Sequence, residues 1–359
     1  MKTWKVALAG CGAIAGGTYL PYTHRFPNVE MVAVCDILPE RAQSYAKQFH
    51  VPNWYPSVEE MLAKCDFDIL MDTATIQAHY DINMAVLRAG KHLYSQKPVG
   101  LTVDQVTDMI ETARKMNVKF SASPIHMIRP DILWAKKMIE EGTIGKVSMI
   151  RLSMAHGGPE YFQFREVDPT WFFRPGAGAL YDMGVHALHC ATGLLGPARA
   201  VGCMSAVSEP ERTVRSGAFN GKQIRTDELD DNYLITLDFG NATLGIVDTG
   251  YCCKAQRTPS IEIYGTLGTI CFTSDLKAPL EVYFDDPERK IRGWTKPFLQ
   301  EMTDLDFFQC LCLKDLIDAI EKDRPVGLPP EHARHVVEIM NKIPTAAKEQ
   351  RVITLSTTF

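Results

Sequence analysis

The chain has 359 residues, 46% of them hydrophobic and 23% charged, with a formal net charge of −5 at neutral pH. Its length suits two domains that each bury a core, and its weakly acidic balance gives no electrostatic footing for nucleic acid or an anionic membrane. No run of about 18 apolar residues is present. Ten cysteines without a C-x-x-C pair read as reduced thiols with no zinc site, the nearest pairs being Cys252-Cys253 and Cys310-x-Cys312.

The opening stretch, MKTWKVALAG, enters a strand directly with no charged-then-apolar leader, which predicts a cytoplasmic setting. Through residue 125, β-branched runs at Lys5 to Ala9, Glu30 to Asp36, Asp68 to Thr73, His92 to Ser95 and Lys119 to Ala122 alternate with helical patterns. The helices read PERAQSYAKQF, SVEEMLAK, AHYDINMAVLRAG and TVDQVTDMIETARKM. Such alternation predicts an α/β fold with a doubly wound parallel sheet.

Residues 10–15, GCGAIA, follow the first strand and open a helix. In that context Gly10 permits the tight turn, Gly12 lets backbone approach a pyrophosphate, and Ala15 keeps the helix close to the sheet. Amides at the helix start then face the anion. Asp36, 24 residues beyond Gly12, closes the second strand where a carboxylate accepts from both adenosine ribose hydroxyls and repels a 2′-phosphate. The expected cofactor is therefore NAD rather than NADP, although Arg41 is close enough in sequence to accommodate such a phosphate. Residues 1–124 are read as the NAD-binding Rossmann domain.

After SASP at 121–124, a helix at Asp131 to Glu141 leads through GTIGKV into longer strands: VSMIRLSM, ARAVGCMSAV, NYLITLDFGNATLGIVDTGY, SIEIYGTLGTICF and LEVYFD. Strands joined by tight turns predict a C-terminal α+β domain over 125–359 with an open, mainly antiparallel sheet. Its uncovered face suits self-association as a dimer or tetramer, with NATLGIVDTGY and SIEIYG as the first suspects. The last helices, DLIDAIEKD and PEHARHVVEIMNKI, look structural, and His332 and His335 read as part of a solvated face, not as metal ligands.

Two runs are distinctive: TATIQAHYDINMAVLRAGKHLYSQKPVGLT (73–102) and GALYDMGVHALHCATGLLGP (178–197). They resemble the Gfo/Idh/MocA family of NAD(P)-dependent oxidoreductases, in family order and spacing across essentially the whole chain. The resemblance implies that Lys97 is the catalytic lysine and that Asp182 and His186 complete the site. It implies cofactor contacts from Gly10, Gly12, Ala13, Ile14, Asp36, Ile37, Arg41, Thr73, Ala74, Thr75, Gln77, His79, Gln96 and Lys97. Two departures stand out: Gln96 where the family usually has Glu before the lysine, and Ile76-Gln77 where it usually has Pro-Asn.

The chemistry agrees. Oxidising a secondary alcohol requires a base within hydrogen-bond reach of the hydroxyl as hydride leaves carbon for the nicotinamide. Lys97 and His186 are the candidates, and both must reach one oxygen. Asp182 and His186, four apart, share a helical face about 5 to 6 Å apart at Cβ, so the carboxylate can hold a partner in its productive form. The residues leave open which group is the base; the assignment taken here is His186 as base and Lys97 as the group that orients and polarises the oxygen. His189 either lines the site or braces the helix.

The insertion HGGPEYFQFREVDPTWFFRPGAG carries aromatic faces beside donors, which suits a pyranose ring. Substrate contacts are expected from His126, Tyr161, Trp171 and Arg174, with Lys97, Asp182 and His186. The leading expectation is NAD-dependent oxidation of a ring hydroxyl, at C3, of a sugar or glycoside to a keto sugar. An NAD-dependent glycosidase working by transient oxidation, an inositol-type cyclitol dehydrogenase and a non-catalytic sensor are the competing readings.

Overall fold

Val6, Ala7, Leu8 and Ala9 are apolar without alternation because β1 (Trp4–Ala9) runs through the middle of a sheet and is buried on both faces. The computed structural model describes residues 2–162, 168–226, 228–275, 277–288, 290–297 and 309–359. Around β1 lie β2 (Val29–Cys35), β3 (Asn53–Tyr55), β4 (Ile69–Asp72), β5 (His92–Ser95) and β6 (Phe120–Ala122), in the order β3-β2-β1-β4-β5-β6. Every pairing is parallel. The connecting helices are α1 (Pro39–Gln48), α2 (Val58–Lys64), α3 (His79–Arg88) and α4 (Val103–Lys115).

Local chemistry sets the helix starts. Ser57 accepts from the Glu60 amide to begin α2, and Thr102 and Gln105 form a reciprocal capping box at α4. The chain order reverses on either side of β1, so β1 and β4 end side by side at the point where such sheets bind ligands. The three-residue edge strand β3 was not anticipated, because Pro52 and Pro56 bracket it.

The second sheet has nine strands: β7 (Val147–Ala155), β8 (Ala200–Ala206), β11 (Asn232–Gly240), β12 (Thr243–Gly250), β13 (Ile261–Gly265), β14 (Gly268–Phe272), β15 (Leu280–Asp286), β16 (Ile291–Thr295) and β17 (Ile353–Thr354). A separate hairpin pairs β9 (Glu211–Thr213) with β10 (Gln223–Arg225). Neighbours are antiparallel except β7 and β12, so the sheet is mixed and mainly antiparallel. In β11 every second side chain is buried, while Leu234, Thr236 and Asp238 face solvent. Helix α5 (Pro130–Glu140) packs on α6 (Val185–Leu195), which lies against β7 and β12 and is buried almost all round.

The chain divides into one unit of Met1–Ile128 with Asp304–Val337 and another of Arg129–Thr303 with Glu338–Phe359. This differs from a single domain over 125–359. Helix α7 (Leu311–Glu321) packs on β5 and β6 because Cys312, Leu313, Leu316 and Ile317 form an apolar face that needs cover. Helix α8 (Pro330–Glu349) spans the division. His332 and His335 are buried, which corrects the solvated face read from their spacing: Val336, Val337, Ile339 and Met340 of the same helix are core residues. Among the described residues no helix is long and apolar enough to cross a membrane.

Glu338 anchors the C-terminal strand. Its carboxylate accepts from the amides of Ser356 and Thr357 and from both their hydroxyls, at 2.6 to 3.1 Å. Burial opposes its charge, but the hydrogen bonds from Thr357 and Ser356 outweigh burial and hold the carboxyl down to about 2. A depressed carboxyl stabilises the fold above its ordinary value, and that contribution disappears as pH falls through the folded value. Glu338→Gln should therefore lose about 2 kcal/mol at neutral pH by denaturant titration. The gap from the native chain should narrow as pH falls from about 4.5 toward about 2.

Candidate active site

The first unit builds its ligand end from the turn after β1. Gly10 has φ +88°, and a Cβ there would lie 2.5 Å from the Ala74 backbone, so glycine is required both by conformation and by space. Gly12 is different: a Cβ there would meet no protein atom within 4 Å. That open cradle fits a pyrophosphate seated against the backbone, with Ala13 and Ile14 in the following helical turn. Ala15 is buried, and residues Ala15–Tyr19 continue as a wider π-helical turn. Tyr45 of α1 donates to the Gly12 carbonyl at 3.0 Å and occupies the space left by Gly16, whose Cβ would lie 2.8 Å from its hydroxyl. Cys11 is inert filler, since burial and the nearby Asp36 push its thiol up to about 12.

Asp36 is clamped before any ligand arrives. Its Oδ2 accepts the Cys11 amide and its Oδ1 the Leu38 amide, each at 2.9 Å, and Arg41 lies 3.8 Å away. Ile37 beside it is 86% exposed, leaving an apolar surface at the strand end. Thr73 closes the adjoining strand, its hydroxyl donating to the carbonyls of Ala9 and Gly10 at 3.0 and 2.8 Å. Ala74 donates to Asp72, while Thr75 and Gln77 are exposed.

His79 is buried with its Nδ1 2.6 Å from Asp72 Oδ2, so within this unit it braces the 73–78 loop from beneath. Asp72 was not singled out from sequence. A carboxylate at a strand end seven residues before a helix-starting histidine has no distinctive pattern.

Gln96 explains one departure from the family pattern. Its amide donates to the Tyr19 hydroxyl, and its carbonyl accepts the Lys97 amide at 3.1 Å and the Ser123 hydroxyl at 3.5 Å. A carboxylate could not donate to Tyr19 in this way. Tyr19 in turn lies 2.9 Å from Tyr94, and burial pushes both phenols well above their ordinary range, so the chain stays neutral. Lys97 and Gln96 are half-buried, and His126 follows on the turn Ile125–Ile128, in this unit and not the other.

In the second unit, Asp182 lies on a π-helical turn, Leu180–Gly184, that runs directly into α6, and His186 is the second residue of that helix. The D-x-x-x-H stretch is thus not the regular α-helix its spacing predicted; such wide turns concentrate at functional sites. Tyr251, which follows β12, donates to Asp182 Oδ2 at 3.0 Å. His156 Nε2 lies 3.9 Å from the same oxygen. The Gly158 amide donates to His156 Nδ1 at 3.0 Å, which places the ring proton of neutral His156 on Nε2, toward the carboxylate. The two rings stack, with centroids 5.1 Å apart and planes 17° from parallel. Neither residue was nominated from sequence.

The aromatic insertion divides in two. Residues 163–167 lie outside the described residues. Tyr161 packs on Gly157 and lies 4.8 and 4.9 Å from the cationic groups of Arg215 and Lys254, so its ring is already engaged. Trp171 and Arg174 belong to the turn after Asp168, where Trp171 is half-buried, stacks on Phe172, and Arg174 is exposed. His189 is buried in α6. Beneath the insertion, buried Arg212 reaches Glu160 at 2.6 Å and Asp231 at 2.7 Å and donates to the Tyr251 carbonyl at 3.2 Å. This cluster ties the insertion, the β9–β10 hairpin and Tyr251 together.

A strand, a glycine cradle and a clamped acidic residue mark a dinucleotide-binding domain. Residues 4–123 match the model of the oxidoreductase family with the NAD-binding Rossmann fold, and residues 132–271 match the GFO/IDH/MocA C-terminal domain. The chain belongs to this family and is an NAD-dependent dehydrogenase.

Levoglucosan dehydrogenase of Pseudarthrobacter phenanthrenivorans is 26% identical over 73% of this chain and 69% of its own length. D-Glucoside 3-dehydrogenase of Escherichia coli is 26% identical over 70% of this chain and 72% of its own. The apo structure of a levoglucosan dehydrogenase, 22% identical, shares the fold with a TM-score of 0.87 over 100% of both chains.

The two loop glycines should separate on substitution. Gly12→Ala should leave the melting temperature within about 2 °C of the native chain but weaken NAD at least about tenfold by fluorescence titration, because a methyl group enters the cradle. Gly10→Ala should lower the melting temperature itself by about 5 °C or more, because both φ and the Ala74 contact must give.

Proposed function

We propose that the protein oxidises a secondary ring hydroxyl, at C3, of a sugar or glycoside to the keto sugar. The observation that carries this reading is the held carboxylate of Asp182, faced by Tyr251 and His156 and four residues before His186. Its relatives' names support the substrate class, one acting on levoglucosan and another on D-glucosides at position 3. Bound NAD supplies the hydride acceptor. Lys97 orients and polarises the substrate oxygen, His186 takes its proton, and Asp182 holds its partner in the productive protonation state. Asp36 selects NAD over NADP.

The substrate contacts proposed beside these are His126, Trp171 and Arg174, with Tyr161 shaping the insertion beneath them. Self-association through the second sheet belongs to the same reading: Met204 is 76% exposed and pairs across β8 and β11 with exposed Leu234, and a separate exposed leucine, Leu244, lies opposite Asp238 on β12. Ten free cysteines suit a reducing, cytoplasmic setting.

Purified protein with NAD should form NADH, followed by absorbance, on a panel of monosaccharides and glycosides; no signal across the panel would contradict the reading. Aglycone release without NADH would favour the glycosidase alternative. Lys97→Ala should depress kcat about a hundredfold or more, the usual worth of a proton-transfer group, and leave NAD affinity nearly unchanged.

A further inference from the structure

We propose that Tyr251 is a positioning residue for the reaction, its hydroxyl fixing the Asp182 carboxylate in one working orientation; this rests on the role given to Asp182 above. The phenol is immobilised from every side. Its ring is buried, stacks on His156 at 5.1 Å and meets the edge of Phe173 at 5.6 Å. Its own amide donates to the Asp231 carbonyl at 2.7 Å, and its carbonyl accepts from Arg212 at 3.2 Å. With backbone and ring both held, the hydroxyl is aimed at Asp182 Oδ2, to which it donates at 3.0 Å.

Asp182 needs such a holder. Its side chain is 16% exposed on a π-helical turn, where a free carboxylate exchanges rotamers and hydrogen-bonds to water. A donor fixed by the core removes that freedom at Oδ2. Burial, and after it the charge of Asp182, push the phenol well above its ordinary range, so it remains a donor throughout the working pH range. The ring's burial also leaves it no surface to offer a substrate, which separates this role from that of a substrate contact.

The test compares Tyr251→Phe, Asp182→Asn, the double variant and Asp182→Glu in steady-state NADH formation with the best sugar of the panel. Tyr251→Phe keeps the ring, its stacking and the carbonyl contact to Arg212, and water can reach Asp182 in place of the lost hydroxyl. It should lower kcat roughly tenfold, the worth of one hydrogen bond to a charged group, with sugar KM, NAD affinity and melting temperature nearly unchanged. The double variant should be no slower than Asp182→Asn, because the phenol acts only through the carboxylate.

Asp182→Glu keeps the charge but carries it past the phenol, and should lose at least as much as Tyr251→Phe; full activity in this variant would show that placement is unimportant and overturn the proposal. Full kcat in Tyr251→Phe beside an inactive Asp182→Asn would overturn it while sparing the proposed function. A raised KM at constant kcat would overturn it in favour of a substrate contact. Full activity in Asp182→Asn would remove the role given to Asp182 and overturn the proposal, whereas no NADH from the native chain on any sugar would defeat the proposed function itself.

Discussion

The nucleotide end of the first unit depends on a backbone approach too close for any side chain. Where β1 turns at Gly10, the Ala74 backbone passes within 2.5 Å of the position a Cβ would take. That contact brings the ends of β1 and β4 together at the point where the strand order reverses, and the remaining devices hold it there. Thr73 ties its hydroxyl to both carbonyls at the end of β1, Asp72 engages His79 below the loop, and Asp36 is pinned by the Cys11 amide. The groups that would meet a dinucleotide are thus ordered by protein hydrogen bonds, so little ordering remains for the ligand to impose.

Each unit supports its half-buried polar residue with a fully buried phenol. In the first, Tyr94 and Tyr19 hold the Gln96 amide, which accepts the Lys97 N–H. In the second, Tyr251 holds Asp182. A buried hydroxyl demands a partner because leaving it unmade costs about 1 to 3 kcal/mol, and here that demand is directed at groups next to the proposed chemistry. Gln96 suits this scheme because an amide can both donate to Tyr19 and accept from Lys97, which a carboxylate cannot.

What was legible in the sequence follows from range. Strands and helices of the first unit were readable because burial on both faces writes continuous apolar runs, and the GCGAIA turn gained meaning from the strand before it and Asp36 after it. The supports were not readable. Tyr251 and Asp182 are 69 residues apart, and Tyr45 and Gly12 are 33 apart, with no periodicity linking them. Helix α7 joins the first unit through apolar residues that any buried helix would carry, so its destination is invisible in its pattern. The π-helical turn at Asp182 escaped because a four-residue spacing fits either helix type.

The proposed reaction removes hydride from one ring carbon of a sugar. A glucoside carrying deuterium at C3, incubated with the protein and NAD, tests it most directly by mass spectrometry of the nucleotide. Deuterium should appear in the NADH and a keto group at C3 of the recovered sugar. NADH without the label, or label retained in a sugar oxidised elsewhere, would contradict it.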